Sequence, residues 1–208
     1  MEFVRVLMIG LWTAAAILCC AGAASAADSP LETVRRSNQS VLDIYGSRET
    51  IDQAAEDEIY RVIDGVTDFE AMAGAAAERS CGDLTGEQCR EFKDVFIELL
   101  RISSVKKLGR YRAESFDYLG ERRDEGQAVV ETSARFGEDT VSLVYYLTLG
   151  EGKWRITNYV VDDVDTVRNY RKQFKRLFRT KSYDEVVQRL RDRIASYEQE
   201  AEAGLAQE

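Results

Sequence analysis

The chain has 208 residues, 45% of them hydrophobic and 31% charged, a composition that suits one folded domain with a sizeable core. Its formal net charge of −9 argues against general nucleic-acid binding, because phosphate backbones need a cationic surface. Histidine is absent, which excludes Ser-His-Asp and Cys-His nucleophile systems and histidine-ligated metal sites. We therefore expect no metal site, no cofactor and no nucleic-acid partner.

The N-terminal segment has the parts of a signal peptide. Arg5 lies in a short n-region, an apolar run covers residues 6–20, and an Ala-Ser-Ala segment offers a cleavage site before Ala27. An uncleaved anchor is the alternative, but the run is short for a spanning helix, which needs roughly 20 residues. A lipoprotein is a third interpretation, but the residues before Cys19 and Cys20 fit a lipoprotein cleavage site poorly. We expect a signal peptide over residues 1–26 and a single exported domain over residues 27–208.

Cys81 and Cys89 are the cysteines that remain after cleavage. In an oxidising compartment, an even pair close in sequence most simply forms a disulfide. Two thiols without further ligands do not make a zinc site. We therefore predict a disulfide between Cys81 and Cys89.

Helical periodicity dominates the first half of the exported chain. Apolar stripes at spacings of three and four predict three helices, over residues 31–45, 51–66 and 69–76. Thr85 and Gln88 have the spacing of a capping box, which predicts the start of a fourth helix, and Gly109 is its expected end.

The pattern then changes to the alternation typical of strands. Four strands are predicted, over residues 111–118, 127–136, 140–149 and 153–161. Short charged turns with glycine separate them and indicate an antiparallel meander. Two helices follow, over residues 164–179 and 183–197, the second with Ser182 as its N-cap. This order predicts an α+β fold in which helices pack on one face of a curved, antiparallel four-strand sheet.

The third predicted strand is apolar on both faces. Leu143, Tyr145 and Leu147 share one face, while Val144 and Tyr146 lie on the other. A central strand covered by two layers explains the pattern, and so does a strand with one face lining a cavity. Periodicity alone favours the covered strand.

An acidic segment, DDVD, joins the fourth strand to the next helix. Trp154, Ile156 and Val160 mostly alternate with polar residues on that strand. DDVD lacks the loop length and the glycine of an EF-hand calcium site. We expect it to form an elbow, with Asp163 or Asp165 as the cap of the following helix.

Several segments together stand in the order and spacing of the MlaC, or toluene-tolerance, family. They are DFEAMA (68–73), TGEQCREF (85–92), VVETSARF (129–136), VYYL (144–147) and WRITNYVVDDVDTVRNYRKQF (154–174). The chain resembles this family over about residues 31–193. Its members are periplasmic phospholipid carriers of Gram-negative bacteria, with an α+β fold around a deep apolar pocket.

The resemblance implies a periplasmic lipid carrier without enzymatic activity, which binds phospholipid acyl chains and shuttles lipid between the outer and inner membranes. It implies two partners, an inner-membrane ABC lipid transporter complex and an outer-membrane lipoprotein complex. We expect the carrier itself to be a monomer. Hopanoid-associated relatives share the domain, so the cargo stays open between a phospholipid and a hopanoid. Two other functions also stay open, a small enzyme using a Tyr or a carboxylate such as Asp117 or Asp162, and a lipid-free transporter adaptor.

For the pocket wall we select apolar residues of the predicted sheet and of the helices beside it, although core packing explains each one equally well. They are Phe69, Phe92, Phe96, Val130, Phe136, Leu143, Tyr145, Leu147, Trp154, Ile156, Val160, Val167 and Tyr170.

A basic stretch follows the elbow of this acidic chain. A solvated helix face, with cations favoured near its C-terminus, explains it. The functional interpretation is a docking surface for an anionic headgroup or an acidic partner. The candidate docking residues are Arg168, Lys172, Lys175, Arg176 and Arg179. Arg171 is expected to pair with a carboxylate that holds the helix to the body.

Overall fold

The computed structural model describes residues 28–46, 48 and 51–205, so the predicted signal peptide lies outside the described residues. The helices of the described part are α1 (Pro30–Gly46), α2 (Gln53–Val66), α3 (Phe69–Ala77), α4 (Gly86–Tyr111), α5 (Thr166–Leu177) and α6 (Tyr183–Leu205). The strands are β1 (Ser115–Asp124), β2 (Gln127–Phe136), β3 (Asp139–Gly150), β4 (Lys153–Val161) and β5 (Val164–Asp165). None of the described helices is long and apolar enough to cross a membrane.

The five strands form one antiparallel sheet in the order β1-β2-β3-β4-β5. Helix α1 packs across β1 and β2, while α2, α3 and α5 contact β4. The predicted α+β class and the antiparallel meander are confirmed. The sheet has one short strand more than the four expected.

The first strand lies further along the chain than its pattern predicted. Helix α4 passes Gly109 and continues to Tyr111, and Arg112 then takes a left-handed conformation with φ of 36°. Strand β1 runs through charged residues that the sequence pattern assigned to a turn. The turn itself is only Glu125 and Gly126, whose φ angles of 38° and 81° suit a two-residue hairpin connection.

An irregularity in β4 reverses the faces of its residues. Tyr146 pairs with Asn158, but the next residue of β3, Leu147, pairs with Ile156, so Thr157 is an extra residue. Such a bulge shifts the alternation of side chains by one position. The inward face therefore continues from Ile156 to Tyr159 and not to Val160, which the regular alternation predicted.

The DDVD segment is a tight turn followed by a strand and a helix cap. Asp162 and Asp163 take left-handed conformations, with φ angles of 44° and 64°, which Asp tolerates better than most residues. Val164 belongs to β5 and is 55% exposed, so its assignment to the helix was wrong. Asp165 caps α5, because its Oδ1 accepts a hydrogen bond of 2.7 Å from the Arg168 N–H. The elbow and the cap are confirmed, with Asp165 as the capping residue.

A large core joins the helices to one another. Its central side chains include Phe92, Phe96 and Phe174, whose rings meet edge to face at centroid distances of 4.7–4.8 Å. Arg171 ties α5 to α3, since its guanidinium donates bonds of 3.0 and 2.7 Å to the carbonyl oxygen of Ala75. The expectation of a carboxylate partner for Arg171 was wrong. A helix C-terminal region offers carbonyl oxygens that serve a guanidinium equally well.

The start of α4 is fixed by two local devices. Thr85 and Gln88 form the predicted capping box, with bonds of 3.2 and 3.0 Å between each side chain and the other residue's backbone N–H. Cys81 and Cys89 form the predicted disulfide, which closes the segment before α4 onto its first turn. Both predictions are confirmed.

Candidate functional site

A cavity lies between the sheet and three helices. Its walls come from α1, the C-terminal end of α2, the second half of α4 and the inward face of β1–β4. The volume in which the centre of a water molecule fits is about 210 Å³. One water needs only about 10–15 Å³ by the same measure. The cavity is therefore large enough for a sizeable ligand.

Most of the cavity wall is hydrocarbon. On the sheet the apolar lining consists of Phe116, Ala134, Phe136, Val141, Leu143, Ile156 and Val161. On the helices it consists of Val41, Ile63, Val66 and Leu108. Water in such a space would find few hydrogen-bond partners, so the wall favours an apolar occupant.

A polar cluster interrupts this wall between α1 and the sheet. Asn38 lines the cavity and is only 8% exposed. Its Oδ1 accepts a bond of 3.3 Å from the Tyr145 hydroxyl, and its Nδ2 donates one of 3.5 Å to the Tyr118 hydroxyl. Burial raises the pKa of Tyr145 well above its ordinary value, so its hydroxyl stays protonated at neutral pH and remains a donor.

A second polar pair joins α4 to β4. The hydroxyls of Ser104 and Tyr159 lie 3.1 Å apart, and both residues line the cavity. The Ser104 hydroxyl also donates a bond of 2.7 Å to the carbonyl oxygen of Leu100, which leaves Tyr159 as the donor within the pair. Burial raises the pKa of Tyr159, so this donor too is neutral at physiological pH. The two tyrosines thus supply hydroxyl oxygens to an otherwise apolar space.

The cavity meets solvent where Lys107 and Asp162 line it, since these are its exposed residues. The carboxylate of Asp162 accepts a bond of 2.9 Å from the backbone N–H of Ser142, which holds the turn after β4 against β3. One cation and one anion therefore stand at the opening. A ligand with a polar end can keep that end in water here while its apolar part enters the cavity.

The selected pocket residues fall into four groups in the structure. Phe136, Leu143, Tyr145 and Ile156 line the cavity. Val130, Leu147 and Trp154 pack in a small cluster between the sheet and the ends of α1 and α2. Phe69, Phe92, Phe96, Val167 and Tyr170 belong to the core between the helices, outside the cavity wall. Val160 pairs with Val144 on the opposite face of the sheet, because of the bulge at Thr157.

The sequence pattern missed the contribution of α1 and α2. Val34, Asn38, Val41 and Tyr45 recur at helical spacing, and all four are buried. A polar residue within a buried stripe is the signal that was available, since a buried amide needs partners. Tyr159 and Val161 were missed for a different reason, because a bulge has no clear sequence signature here.

The carboxylates named for a possible enzyme do not form an acid–base pair. Asp117 lies on the outward face of β1, where its carboxylate is 3.6 Å from the Arg135 guanidinium. Asp162 is engaged by the Ser142 backbone. Among the residues that the structure describes, no group of His, Cys, Asp and Glu is arranged to hold a metal ion. The arrangement is suited to binding an apolar ligand.

Comparisons with known proteins agree with this geometry. The family model described as MlaC protein matches residues 35–192. Among solved structures, a phospholipid-binding protein from Ralstonia solanacearum, in complex with a phospholipid, is similar with a TM-score of 0.65 and 20% sequence identity. The similarity covers 82% of this chain and 99% of that one, and at this identity it shows a shared fold. A comparison with curated proteins found no match.

Proposed function

The chain belongs to the MlaC protein family, and from this premise we propose that it is a periplasmic carrier of phospholipid. The observation that carries the proposal is the apolar cavity between the sheet and helices α1, α2 and α4. In this function the acyl chains occupy the cavity and the headgroup stays at the opening beside Lys107 and Asp162. The phospholipid in the similar Ralstonia solanacearum protein supports this choice of cargo over a hopanoid.

The energetics of acyl-chain burial fit a carrier. Each buried methylene contributes about 0.8 kcal/mol, so half-efficient burial of a chain of ~14 methylenes gives roughly 5–6 kcal/mol. Two chains give about twice that, which is near the affinity of a nanomolar complex. A lipid held this tightly leaves slowly. The carrier then needs partners, for which we propose an inner-membrane ABC lipid transporter complex and an outer-membrane lipoprotein complex.

The proposed domain covers residues 27–208 after removal of a signal peptide over residues 1–26. Of the residues selected from the sequence, we retain Phe136, Leu143, Tyr145 and Ile156 as lipid-contacting residues. The others support the walls or the helical core.

Mass spectrometry of co-purifying lipid tests the proposal. The protein is purified from a periplasm, extracted with organic solvent, and compared with two variants of β3, Leu143→Trp and Val144→Trp. Leu143 lines the cavity, while its neighbour Val144 lies on the outward face, so the two variants add an indole to opposite faces of the same strand. We expect near-stoichiometric phospholipid in the wild type and Val144→Trp, and at least about a fivefold loss in Leu143→Trp, since an indole fills the space of a chain segment.

An empty wild-type protein would contradict the proposal and favour a lipid-free adaptor. A different lipid class would revise the cargo. Equal losses in both variants would mean that the cavity is not where lipid binds. Circular dichroism of each variant establishes that it is folded.

A further inference from the structure

Helix α5 and the turn after it form the most basic segment of this acidic chain. Residues 166–181 contain seven Lys and Arg residues and no carboxylate, whereas the whole chain has a formal net charge of −9. Two of these cations have structural roles, since Arg171 binds the Ala75 carbonyl and Lys181 pairs with Glu185 at 2.8 Å. The other five are Arg168, Lys172, Lys175, Arg176 and Arg179.

These five residues, the basic face of α5, are all exposed. The four that belong to α5 recur at spacings of three and four, so they share one side of the helix over about 12 Å, and Arg179 follows in the turn after it. None of them forms an ion pair with a residue that the structure describes. Elsewhere on the described surface, cations such as Arg48, Arg122 and Arg191 do pair with carboxylates. The basic face is thus an uncompensated positive stripe.

The helix dipole explains only part of this stripe. Lys175 and Arg176 lie in the last turn of α5, where cations are favoured. Arg168 lies in the first turn, where the dipole disfavours a cation, and the favourable carboxylate at this helix end is the cap, Asp165. The dipole does not explain the cation at this position. The arrangement therefore points to a requirement outside the helix.

The basic face belongs to a helix that is packed against the core and that follows a cavity-lining turn in the sequence. On the opposite side of α5, Val167 and Phe174 are buried in the helical core. The helix begins at Thr166, directly after the β4–β5 turn whose Asp162 lines the cavity opening. The N-terminus of α5 is fixed to this turn, and its first basic residue, Arg168, follows Asp162 by six positions in the chain.

We propose that the basic face of α5 binds an anionic lipid bilayer and turns the cavity opening toward it. The role of this contact in lipid exchange rests on the proposed carrier function. The binding of the basic face to a bilayer does not depend on that function. A net-negative carrier is repelled by an anionic membrane in most orientations, so one basic side selects the orientation of the encounter. Each basic residue close to an anionic leaflet strengthens binding roughly fivefold.

The composition of the surface favours a bilayer over a protein partner. Binding hot spots between proteins are enriched in Trp, Tyr and Arg, and their aromatic members anchor the centre of the contact. Among the described residues, the exposed large hydrophobic side chains are Leu119, Tyr146, Leu149 and Val164, and none of them belongs to α5. Charge alone attracts a protein to anionic headgroups, and five cations without an apolar anchor match that mode of binding.

Vesicle flotation with charge-reversal variants tests the proposal. The full exported protein is mixed with vesicles of 70% phosphatidylcholine and 30% phosphatidylglycerol, or of phosphatidylcholine alone. The test variant is Lys172→Glu with Arg176→Glu. The control is Lys153→Glu with Arg189→Glu, which changes the net charge equally at exposed positions outside α5. We expect the test variant to lower binding to anionic vesicles at low salt at least tenfold, and the control to lower it less than about threefold.

Binding of the wild type should weaken as salt is raised, and should be absent on phosphatidylcholine alone, because screening and a neutral surface both remove the attraction. Equal losses in the test and control variants would overturn the proposal, since net charge alone would then be responsible. A wild type that does not bind anionic vesicles would overturn it too. Co-purified lipid, measured on the same samples, reports on the carrier function separately and should not change in either variant.

Discussion

Asn38 is the residue at which stability and cargo binding make opposing demands. It is a buried amide in a largely apolar wall, and its two hydrogen bonds, at 3.3 and 3.5 Å, are long. Its second N–H has no partner among the described residues. A buried donor without a partner costs stability, on the order of 1–3 kcal/mol. A ligand oxygen that accepts from this N–H would remove that cost.

We expect the Asn38 amide to donate to an ester carbonyl of the bound lipid. Diester and diether phospholipids with the same headgroup and chain length differ in those carbonyl oxygens. Wild-type protein should prefer the diester roughly 2- to 10-fold in competitive binding, which corresponds to one hydrogen bond. Asn38→Leu, which has a similar volume, should bind both lipids equally.

Val41→Ala is the matched control, because Val41 lines the same cavity from the same helix without a polar group. It should weaken both lipids alike and keep the preference. A preference that survives in Asn38→Leu would show that the amide does not contact the ester.

At the scale of elements, the best-predicted features are those with a local cause. The capping box at Thr85 and the cap at Asp165 depend on residues three positions apart, so a single sequence contains the whole interaction. The β2 boundaries, Gln127–Phe136, also follow from alternation and flanking turns. The end of β1 was predicted too early, because its last residues are charged and hid a strand that continues to a two-residue turn.

The disulfide is the element-scale feature with the clearest energetic consequence. It closes a short loop before α4, between residues eight positions apart. On the chain-entropy model, replacing Cys81 and Cys89 by Ser should lower the free energy of unfolding by roughly 2–3 kcal/mol. Urea denaturation of the purified protein measures this difference.

Reduced wild-type protein is the control for that measurement. Its stability should match that of the double variant, which should itself not respond to reductant. If the double variant unfolds at the same urea concentration as the oxidised wild type, the bond contributes nothing to the stability of the fold.

At the scale of the whole molecule, a cavity could be expected from the sequence, but the elements that form its walls could not be predicted. The two-faced apolar pattern of β3 has a physical explanation, since Leu143 and Tyr145 line the cavity while Tyr146, on the other face, is 40% exposed. The covered central strand that periodicity favoured was therefore wrong. The opposite wall comes from α1, and nothing in the pattern of α1 indicates which strand it crosses. Long-range packing decides that, and with it the composition of the site.

The same reasoning explains why two of the selected residues, Phe92 and Phe96, lie outside the cavity wall. Phe92 and Phe96 are as apolar as any cavity residue, and an apolar stripe has the same appearance whether it faces a core or a cavity. Here α4 turns Phe92 and Phe96 toward α5, and presents Ser104 and Leu108 to the cavity further along. On α4, the side that lines the cavity is the one that combines apolar residues with a small polar residue, Ser104.

Photo-crosslinking tests the central claim, that the cavity between the sheet and α1, α2 and α4 holds an acyl chain. The probe is phosphatidylethanolamine with a diazirine in one acyl chain, and peptide mass spectrometry locates its adducts. The account predicts adducts on cavity residues such as Val41, Leu108 and Leu143. Adducts confined to the outward face of the sheet, at Val144 and Val160, or to the helical core at Phe92, would contradict it.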